Sequence, residues 1–465
     1  MLFKYQKNVV RLAILSLIFL MQAQTLSQAE SVVKSDFPIE QFRKFSEVYA
    51  KIKSEYVDEV DDNKLFMDAI NGALAGLDPH STYLDYEGMK DFGIATKGEF
   101  GGLGMEVGME DGVVKVVSPI EDTPAYRAGI RSGDLIIELD GVSIKGLSLG
   151  EAIKKMRGKP NTTIKLGISR KSEPSMVELT LTRAIIKNPS VKYKLSDAGY
   201  PYIRITQFQE RTGEDLAKAL IEVREQTKGP LKGLVLDLRN NPGGLVTSAV
   251  SVSAAFLKKD ALIVYSEGRA ADAKMRLFAN PKNYVGEREQ DDYLRNLPHE
   301  IKTVPMVVIV NAGSASASEI VSGALQDHQR AKVIGTQSFG KGTIQTLVPL
   351  SNGSAVKLTV AKYFTPNGRS IQAKGITPDI LVEDPSVSVE EDASLRREAN
   401  LANHIANPKD SKKTGKEAKA AIKPVAKTQF SDQTLMEAGT ASDYQYTQAI
   451  RLLKGLDVIA VKKSQ

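Results

Sequence analysis

The sequence predicts a multi-domain α/β protein, because its pattern changes twice along 465 residues. Apolar residues at helical spacing come first, a region of short strands follows, and from about residue 188 strands alternate with helices. Such alternation is typical of a parallel sheet covered by helices. The length allows two to four domains. We predict a signal peptide at residues 1–29, a helical region at 30–94 and a β-rich unit at 95–184. An α/β core at 185–384, a polar Lys/Ala-rich linker at 385–430 and a C-terminal helical segment at 431–465 follow.

The first 29 residues are typical of a secretory signal peptide. Three basic residues precede the apolar run Leu12–Met21, and Ser27-Gln-Ala29 offers a cleavage site after Ala29. The alternative is an uncleaved membrane anchor, but this run is shorter than the ~20 residues that a spanning helix needs. We therefore expect an exported protein, periplasmic in a Gram-negative cell, with at most peripheral membrane association.

Composition and charge narrow the possible partners. The absence of cysteine excludes disulfides, a thiol nucleophile and a lipid-modified N-terminal cysteine. Removal of the signal peptide would lower the formal net charge from +6 to +3, and Lys409–Lys427 alone carries +5. Because this excess of positive charge lies in a Lys/Ala/Pro segment without interleaved aromatics, we predict a solvated linker and no nucleic-acid partner.

Helical spacing of apolar residues extends from Phe37 to Phe92, and we interpret these faces as packing surfaces. The β-rich unit then carries predicted strands at Val113–Val117, Leu135–Leu139, Thr163–Ser169 and Val177–Leu181, with a helix around Leu149–Arg157. Farther on we predict helices at Gly213–Gln226, Leu245–Leu257, Ser316–Asp327 and Tyr444–Leu456. The predicted strands there are Tyr202–Ile205, Gly233–Leu238, Ala261–Ser266, Val304–Val310, Thr343–Val348, Ala355–Tyr363 and Ser370–Ile371.

The β-rich unit resembles a PDZ domain. Gly102-Leu-Gly104 stands where such domains carry the loop that holds a peptide's C-terminal carboxylate, and Gly133-Asp134 and Asp140-Gly141 follow in order. Glycines let the backbone approach, and an extended peptide can add as a strand beside the loop. The resemblance implies a peptide-binding groove formed by Gly102, Leu103, Gly104, Met105 and Val107.

Ser316 is the candidate nucleophile. It follows the apolar strand and a turn of small residues, and it precedes a predicted helix. At a strand-to-helix turn, unpaired N–H groups and the helix N-terminus favour the negative charge that serine attack creates. The alternative is structural: Ser316-Ala-Ser-Glu319 is also a capping box, in which Ser316 only caps the helix and Glu319 reaches back.

Lys341 is the candidate base. None of the four histidines falls at a spacing suited to Ser316, and the sequence has no paired histidines at metal-ligand spacing, so we expect no metal or other cofactor. A lysine can deprotonate serine only if desolvation lowers its pKa from about 10.4 toward neutrality. Gln345 is a suitable neutral partner, although contact needs a bend, because residues four apart on a straight strand are about 13 Å apart. The alternative is an exposed turn lysine and an exposed strand glutamine.

These motifs together resemble the carboxyl-terminal processing (tail-specific) serine peptidases. The resemblance covers about residues 37–385 and rests on ordered motifs: Asp237-Leu-Arg-Asn-Asn-Pro-Gly-Gly244, Gly313-Ser-Ala-Ser-Ala-Ser-Glu319, Phe339-Gly-Lys-Gly-Thr-Ile-Gln345 and Thr365-Pro-Asn-Gly-Arg-Ser-Ile371. It implies a crotonase/Clp-like α/β protease core with an inserted PDZ domain and a helical N-terminal region. The roles implied are nucleophile for Ser316, general base for Lys341 and an orienting role for Gln345. The implied oxyanion hole uses N–H groups of Ala317 and of Gly243 or Gly244.

The expected activity is that of a serine endopeptidase. It would bind protein or peptide substrates by their C-termini and cut exported proteins through an acyl-enzyme, and an envelope adaptor protein is a possible partner. Two alternatives remain: a catalytically silent PDZ adaptor of the cell envelope, and a non-peptidase acyl-thioester enzyme on the same core, for which no coenzyme A site is visible.

Overall fold

The computed structural model describes residues 38–110, 112–197, 199–286, 289–383, 397–408 and 438–459. The predicted signal peptide and most of the predicted linker lie outside these residues. Within them, no helix combines the length and the apolar character that a membrane span requires. The chain divides into two units, Met1–Ile70 and Asn71–Gln465.

Nine α-helices lie within the described ranges. We number them α1 (Ile39–Glu55), α2 (Asp62–Ala75), α3 (Tyr86–Lys97), α4 (Pro124–Arg127), α5 (Leu149–Met156), α6 (Thr212–Gln226), α7 (Val246–Phe256), α8 (Ala317–Asp327) and α9 (Tyr444–Leu453). Short 3-10 helices lie at Ala271–Ala273, Pro281–Asn283, Glu289–Asp291, His299–Lys302 and Glu398–Asn400.

The same ranges contain nineteen strands. The first nine are β1 (Thr82–Leu84), β2 (Glu99–Gly102), β3 (Met105–Glu110), β4 (Val113–Pro119), β5 (Leu135–Leu139), β6 (Val142–Ser143), β7 (Thr163–Ser169), β8 (Val177–Thr182) and β9 (Ala184–Lys187). The others are β10 (Val191–Asp197), β11 (Tyr200–Ile205), β12 (Leu234–Asp237), β13 (Leu262–Gly268), β14 (Arg276–Phe278), β15 (Met306–Val310), β16 (Lys332–Gly335), β17 (Thr343–Pro349), β18 (Ala355–Phe364) and β19 (Ile380–Leu381).

In the first unit, the described residues form α1 and the start of α2. The rings of Tyr49 and Phe66 stack with centroids 5.2 Å apart. The Tyr49 hydroxyl donates to Asp62 Oδ1 at 2.8 Å. The helical spacing of the sequence therefore gives helices here, but the packing surface that it predicts is buried only in part, since Phe42 and Val48 are 57% and 58% exposed.

The β-rich unit forms an antiparallel sheet of order β3-β4-β5-β7-β8, with β6 beside β5. Alternate residues of its strands fill one core, among them Val116, Ile136 and Leu166, all fully buried. Helix α5 begins with a capping box between Ser148 and Glu151, as a serine three residues before a glutamate favours. Strands β2 and β9, at the two ends of this region of the chain, pair with each other.

The α/β part is built on a six-stranded sheet of order β10-β11-β12-β15-β16-β19. Its strands from β11 onward are parallel, and β12 and β15 are buried at every residue. Parallel strands that are covered on both faces consist of continuous runs of apolar residues. Helices α6, α7 and α8 contribute to the core on one face, and α9 packs on the other.

A second sheet brings β1, β18, β13 and β14 together, with β17 also paired to β18. Two sequence predictions are wrong here. Residues 82–84 form strand β1 rather than helix, since they pair with β18, and such pairing outweighs a local helical pattern. Ser370–Ile371 is not a strand, because Ser370 makes only an isolated bridge to Phe364.

Candidate active site

Ser316 lies at the turn between β15 and α8, as the sequence predicts. Its backbone has φ 55° and ψ −112°, a region that residues with a side chain rarely adopt. The neighbouring serines hold this turn, because Ser314 Oγ donates to the Leu238 carbonyl at 2.8 Å and Ser318 Oγ donates to the Asn241 carbonyl at 2.9 Å. Ser316 is half-buried, whereas Ser314 and Ser318 are fully buried. Of the three serines, only Ser316 has access to solvent.

The backbone of Ser316 leads to a stability prediction. A non-glycine residue in such a region costs about 1–3 kcal/mol, which glycine avoids while losing about 0.4–1 kcal/mol through its more flexible unfolded chain. We expect Ser316→Gly to exceed Ser316→Ala in free energy of unfolding by about 1 kcal/mol. The two variants lack the same hydroxyl, so denaturant titration of both isolates the backbone term. A glycine variant less stable than the alanine variant would contradict the strain.

Glu319 joins the Ser316 turn to the Lys341 segment. Its fully buried carboxylate accepts four hydrogen bonds. Oε2 accepts from the N–H groups of Ser316 at 2.8 Å and Lys341 at 3.0 Å. Oε1 accepts from Ser338 Oγ at 2.5 Å and the Gly340 N–H at 2.7 Å. The sequence indicated only that Glu319 reaches back to Ser316; its three other partners become visible only in the fold.

Lys341 precedes β17, and its side chain turns toward that strand. The Nζ atom donates to Gln345 Oε1 at 2.6 Å and to the Thr343 carbonyl at 3.1 Å. The bend needed for this contact is present, because Gly340 has φ 100° and the β17–β18 register shifts between Ile344 and Gln345. Lys341 and Gln345, both half-buried, are therefore brought together.

Burial lowers the pKa of Lys341 to about 8, although the negative charges of Glu398, Glu319 and Asp78 oppose this shift. A lysine with such a pKa is partly neutral at physiological pH and can accept a proton. Among the described residues, no hydrogen bond joins Lys341 Nζ to Ser316 Oγ. Hydrogen bonds between catalytic groups are often longer in free enzymes and shorten when substrate binds.

Tyr363 is a second residue that contacts both segments. Its hydroxyl lies 3.1 Å from the Ser316 carbonyl oxygen and also hydrogen-bonds the Lys341 carbonyl. Its ring is fully buried in β18. The sequence predicts Tyr363 only as a strand residue, because nothing in the local pattern indicates these partners.

The glycine loop after β12 lies against Ser316. A Cβ atom added to Gly243 would lie 2.7 Å from the Ser316 Cβ, so only glycine fits there. The Gly243 N–H donates to Asn241 Oδ1 at 2.9 Å. In the described ranges, no hydrogen bond occupies the N–H of Gly244 or that of Ala317. The geometry therefore favours Gly244 over Gly243 as a donor to an external oxygen atom.

The same loop is connected to the C-terminal segment through Arg239. This buried guanidinium pairs with Asp237 Oδ2 at 2.7 Å and with Asp443 Oδ2 at 2.6 Å. Burial would lower the pKa of Arg239, but these two carboxylates raise it well above its ordinary value. The last helix was predicted from the sequence, but this ion pair was not, because its partners are 204 residues apart.

A groove of about 160 Å³ lies in the β-rich unit. All five residues predicted to bind peptide line it: Gly102, Leu103, Gly104, Met105 and Val107. The apolar residues Ile153 and Met156 of α5 also line it. Among the described residues, strand β3 pairs only with β4, so its other edge can accept an added strand.

No cluster of three or more potential metal-binding side chains is found among the residues the structure describes. The His80 Nε2 atom lies 2.7 Å from the buried carboxylate of Glu398.

Three family models match the chain. Residues 199–382 match the model described as peptidase family S41, and residues 101–181 match a PDZ domain. Residues 13–88 match the N-terminal domain of the activating protease CtpB. The S41 match contains Ser316, Lys341 and Gln345, and the PDZ match contains the five residues predicted to bind peptide.

Relatives with similar sequences extend over most of the chain. A carboxy-terminal-processing protease of Bartonella bacilliformis is 46% identical over 374 residues, which cover 80% of both chains. The carboxy-terminal processing protease CtpB of Bacillus subtilis is 39% identical and covers 74% of this chain and 68% of its own. A solved photosystem II D1 C-terminal processing protease is 30% identical, covers 77% of this chain and 92% of its own, and superimposes with a TM-score of 0.41.

Proposed function

Because the chain belongs to the carboxy-terminal-processing proteases of peptidase family S41 and is a serine-type peptidase, we propose that it cleaves exported proteins near their C-termini through Ser316 and Lys341. The observation that carries this proposal is the fully buried carboxylate of Glu319, which hydrogen-bonds the backbones of both residues. One side chain thus holds the candidate nucleophile and the candidate base in a single site.

In the first step, the Ser316 hydroxyl attacks the carbonyl carbon of the scissile bond while Lys341 accepts its proton. A neutral amine has two N–H bonds and one lone pair. The two acceptors around Nζ, Gln345 Oε1 and the Thr343 carbonyl, use both N–H bonds and leave the lone pair for the serine proton. An orienting partner without charge suits this role, because a carboxylate would raise the pKa of Lys341.

The attack converts the carbonyl oxygen into an oxyanion, which we assign to the N–H groups of Ala317 and Gly244. Both lack an acceptor among the described residues, and Ala317 is the first residue of α8, where the helix end favours negative charge. Lys341 then returns the proton to the leaving amine. Water attacks the Ser316 ester while Lys341 accepts a proton from it, and Lys341 passes this proton to the Ser316 oxygen as the new carboxylic acid is released.

We assign recognition of the substrate's C-terminus to the groove of the PDZ domain. The backbone of Gly102, Leu103 and Gly104 would receive the terminal carboxylate, and the apolar side chains of the groove favour small or apolar terminal residues. The bound peptide would add as a strand beside β3.

The test uses two fluorogenic peptides that end in alanine and differ only in a free or an amidated C-terminus. We expect wild-type protein to cleave the free peptide at least about tenfold faster, since the amide removes the charge that the loop binds. Ser316→Ala should cleave neither. Equal cleavage of both peptides would refute recognition of the terminus, and cleavage by Ser316→Ala would refute the nucleophile.

The cellular part of the proposal rests on the sequence. The signal-peptide pattern of residues 1–29 supports export and, in a Gram-negative cell, a periplasmic location. An envelope adaptor would provide a second level of substrate choice.

A further inference from the structure

The side-chain amide of Gln345 is hydrogen-bonded on both sides. Its Oε1 accepts from Lys341 Nζ, and its Nε2 donates to Thr343 Oγ1 and Thr359 Oγ1, both at 3.0 Å. The register shift in the β17–β18 ladder places Gln345 directly opposite Thr359. Thr359 Oγ1 in turn donates to Asp78 Oδ1 at 3.1 Å. A continuous chain of hydrogen bonds therefore runs from Lys341 through Gln345 and Thr359 to Asp78.

Asp78 ends this chain as a buried acceptor. Its carboxylate also accepts from the backbone N–H groups of His80 and Ser81, at 2.8 and 2.9 Å, and from the Ser81 hydroxyl at 2.7 Å. Burial by itself would raise the pKa of Asp78, but these hydrogen bonds outweigh it and lower the pKa. The pairing of β1 with β18 fixes this turn beside Thr359.

The donors and acceptors in this series of hydrogen bonds can be arranged in only one direction. An ionised carboxylate can only accept, so the single proton of the Thr359 hydroxyl is directed to Asp78. The Thr359 oxygen then has only lone pairs to offer Gln345 and must face the NH₂ end of the amide. A flipped amide would set two oxygens without a proton against each other at Thr359. At Lys341 it would set its NH₂ group against the ammonium, or occupy the lone pair that the neutral amine needs in order to accept a proton.

We propose that Asp78 and Thr359 are positioning residues that fix the orientation of the Gln345 amide, so that Lys341 always meets a carbonyl oxygen. The inference rests on the proposed function and deepens it, since it explains how a glutamine, whose two ends are similar in size, can orient a base. The turn Asp78-Pro-His-Ser81 would thereby serve catalysis without touching substrate.

Thr359→Val tests the proposal, with Thr359→Ser as the matched control. Valine keeps the shape of threonine but removes the hydroxyl, and serine restores the hydroxyl. With the free-terminus peptide, we expect the limiting kcat/KM of Thr359→Val to fall about 10- to 100-fold, as for other partners that orient catalytic groups. Thr359→Ser should remain within a few-fold of wild type.

The pH profile of kcat/KM separates positioning from a purely structural role. In Thr359→Val the amide can turn its NH₂ end toward Lys341, and the ammonium then loses an acceptor. The apparent pKa of the base should therefore move to lower pH. The charged groups that act on Lys341, namely Asp78, Glu319, Lys357 and Glu398, are the same in this variant, so the shift reports the amide.

The Asp78→Asn variant tests whether catalysis depends on the direction of these hydrogen bonds or on the negative charge of Asp78. The N–H groups of His80 and Ser81 would keep the asparagine oxygen at the Oδ1 position, where it still accepts from Thr359, so we expect kcat/KM within a few-fold of wild type. A loss as large as that of Thr359→Val would overturn the directional argument. So would a Thr359→Val protein with wild-type rate and pH profile while wild type cleaves the peptide. No cleavage by wild type would instead refute the proposed function.

Discussion

Replacing Lys341 by methionine is expected to lower kcat/KM for the free-terminus peptide by about 10²- to 10⁴-fold, the usual contribution of a general base. Methionine has nearly the length of lysine and fills the same partly apolar space. It also removes a charge whose burial is unfavourable, as the pKa of about 8 indicates. We therefore expect the variant to fold and to unfold thermally at or above the wild-type temperature.

The wild-type pH profile provides the second measurement. Only the neutral amine can accept the serine proton, so kcat/KM should rise about tenfold per pH unit until about pH 8 and then level off. The residual activity of Lys341→Met should lack this rise. Lys332→Met, the same change at an exposed position of β16, is the control and should behave like wild type. Wild-type turnover by Lys341→Met would exclude Lys341 as the base.

The fold was largely predictable because its strongest signals are local. The multi-domain α/β class with a PDZ domain is confirmed. Strand β7 has the predicted bounds, and the predicted α6 and α9 differ by only a few residues, because apolar periodicity reports burial directly. Strand β16, which carries Lys332 at its start, was missed. Its four residues give little pattern, and its pairing with β15 comes from the tertiary structure.

The candidate site was only partly predictable, for a related reason. Ser316, Lys341 and Gln345 stand in motifs whose chemistry can be read from the residue types, and the structure gathers them with the glycine loop. The assignment of their roles stays a prediction. Thr359 and Tyr363 were not found, because their roles depend on which strand lies beside which. The sequence likewise left the choice between Gly243 and Gly244 open. The hydrogen bond from Gly243 to Asn241 favours Gly244 as the oxyanion donor, and this assignment also stays a prediction.

The Glu319→Gln variant should lose a pH dependence of the free energy of unfolding that wild type shows, and its activity should fall for a different reason. Burial outweighs four hydrogen bonds and raises the pKa of Glu319 to about 7. An acid whose pKa is higher in the folded state binds its proton more tightly there. As the pH rises from about 5 to about 7, this group should therefore lower the free energy of unfolding of wild type by about 1.4 kcal/mol per pH unit. A glutamine is neutral throughout, and its variant should lack this dependence. The measurement is the free energy of unfolding of both proteins across this range.

Activity should nevertheless fall, because an amide accepts hydrogen bonds at one end only. In the orientation of lower energy, the carbonyl oxygen of the new amide accepts from the N–H groups of Ser316 and Lys341. This orientation turns the NH₂ group toward Ser338, whose hydroxyl can accept, and toward the Gly340 N–H, which cannot. An unpaired buried N–H costs about 1–3 kcal/mol, and relief requires the Lys341 segment to move. We expect kcat/KM to fall about 10- to 100-fold at pH 8, within the range for lost orienting partners.

Glu225→Gln makes the same chemical change at an exposed position of α6 and should alter neither the activity nor the pH dependence of stability. If Glu319→Gln cleaved at the wild-type rate, the carboxylate would be no more than a helix cap. Ser316 and Lys341 would then have to be held together by other contacts between their segments, among them those of the Tyr363 hydroxyl and the hydrogen bond from the Phe339 N–H to the Ser314 carbonyl.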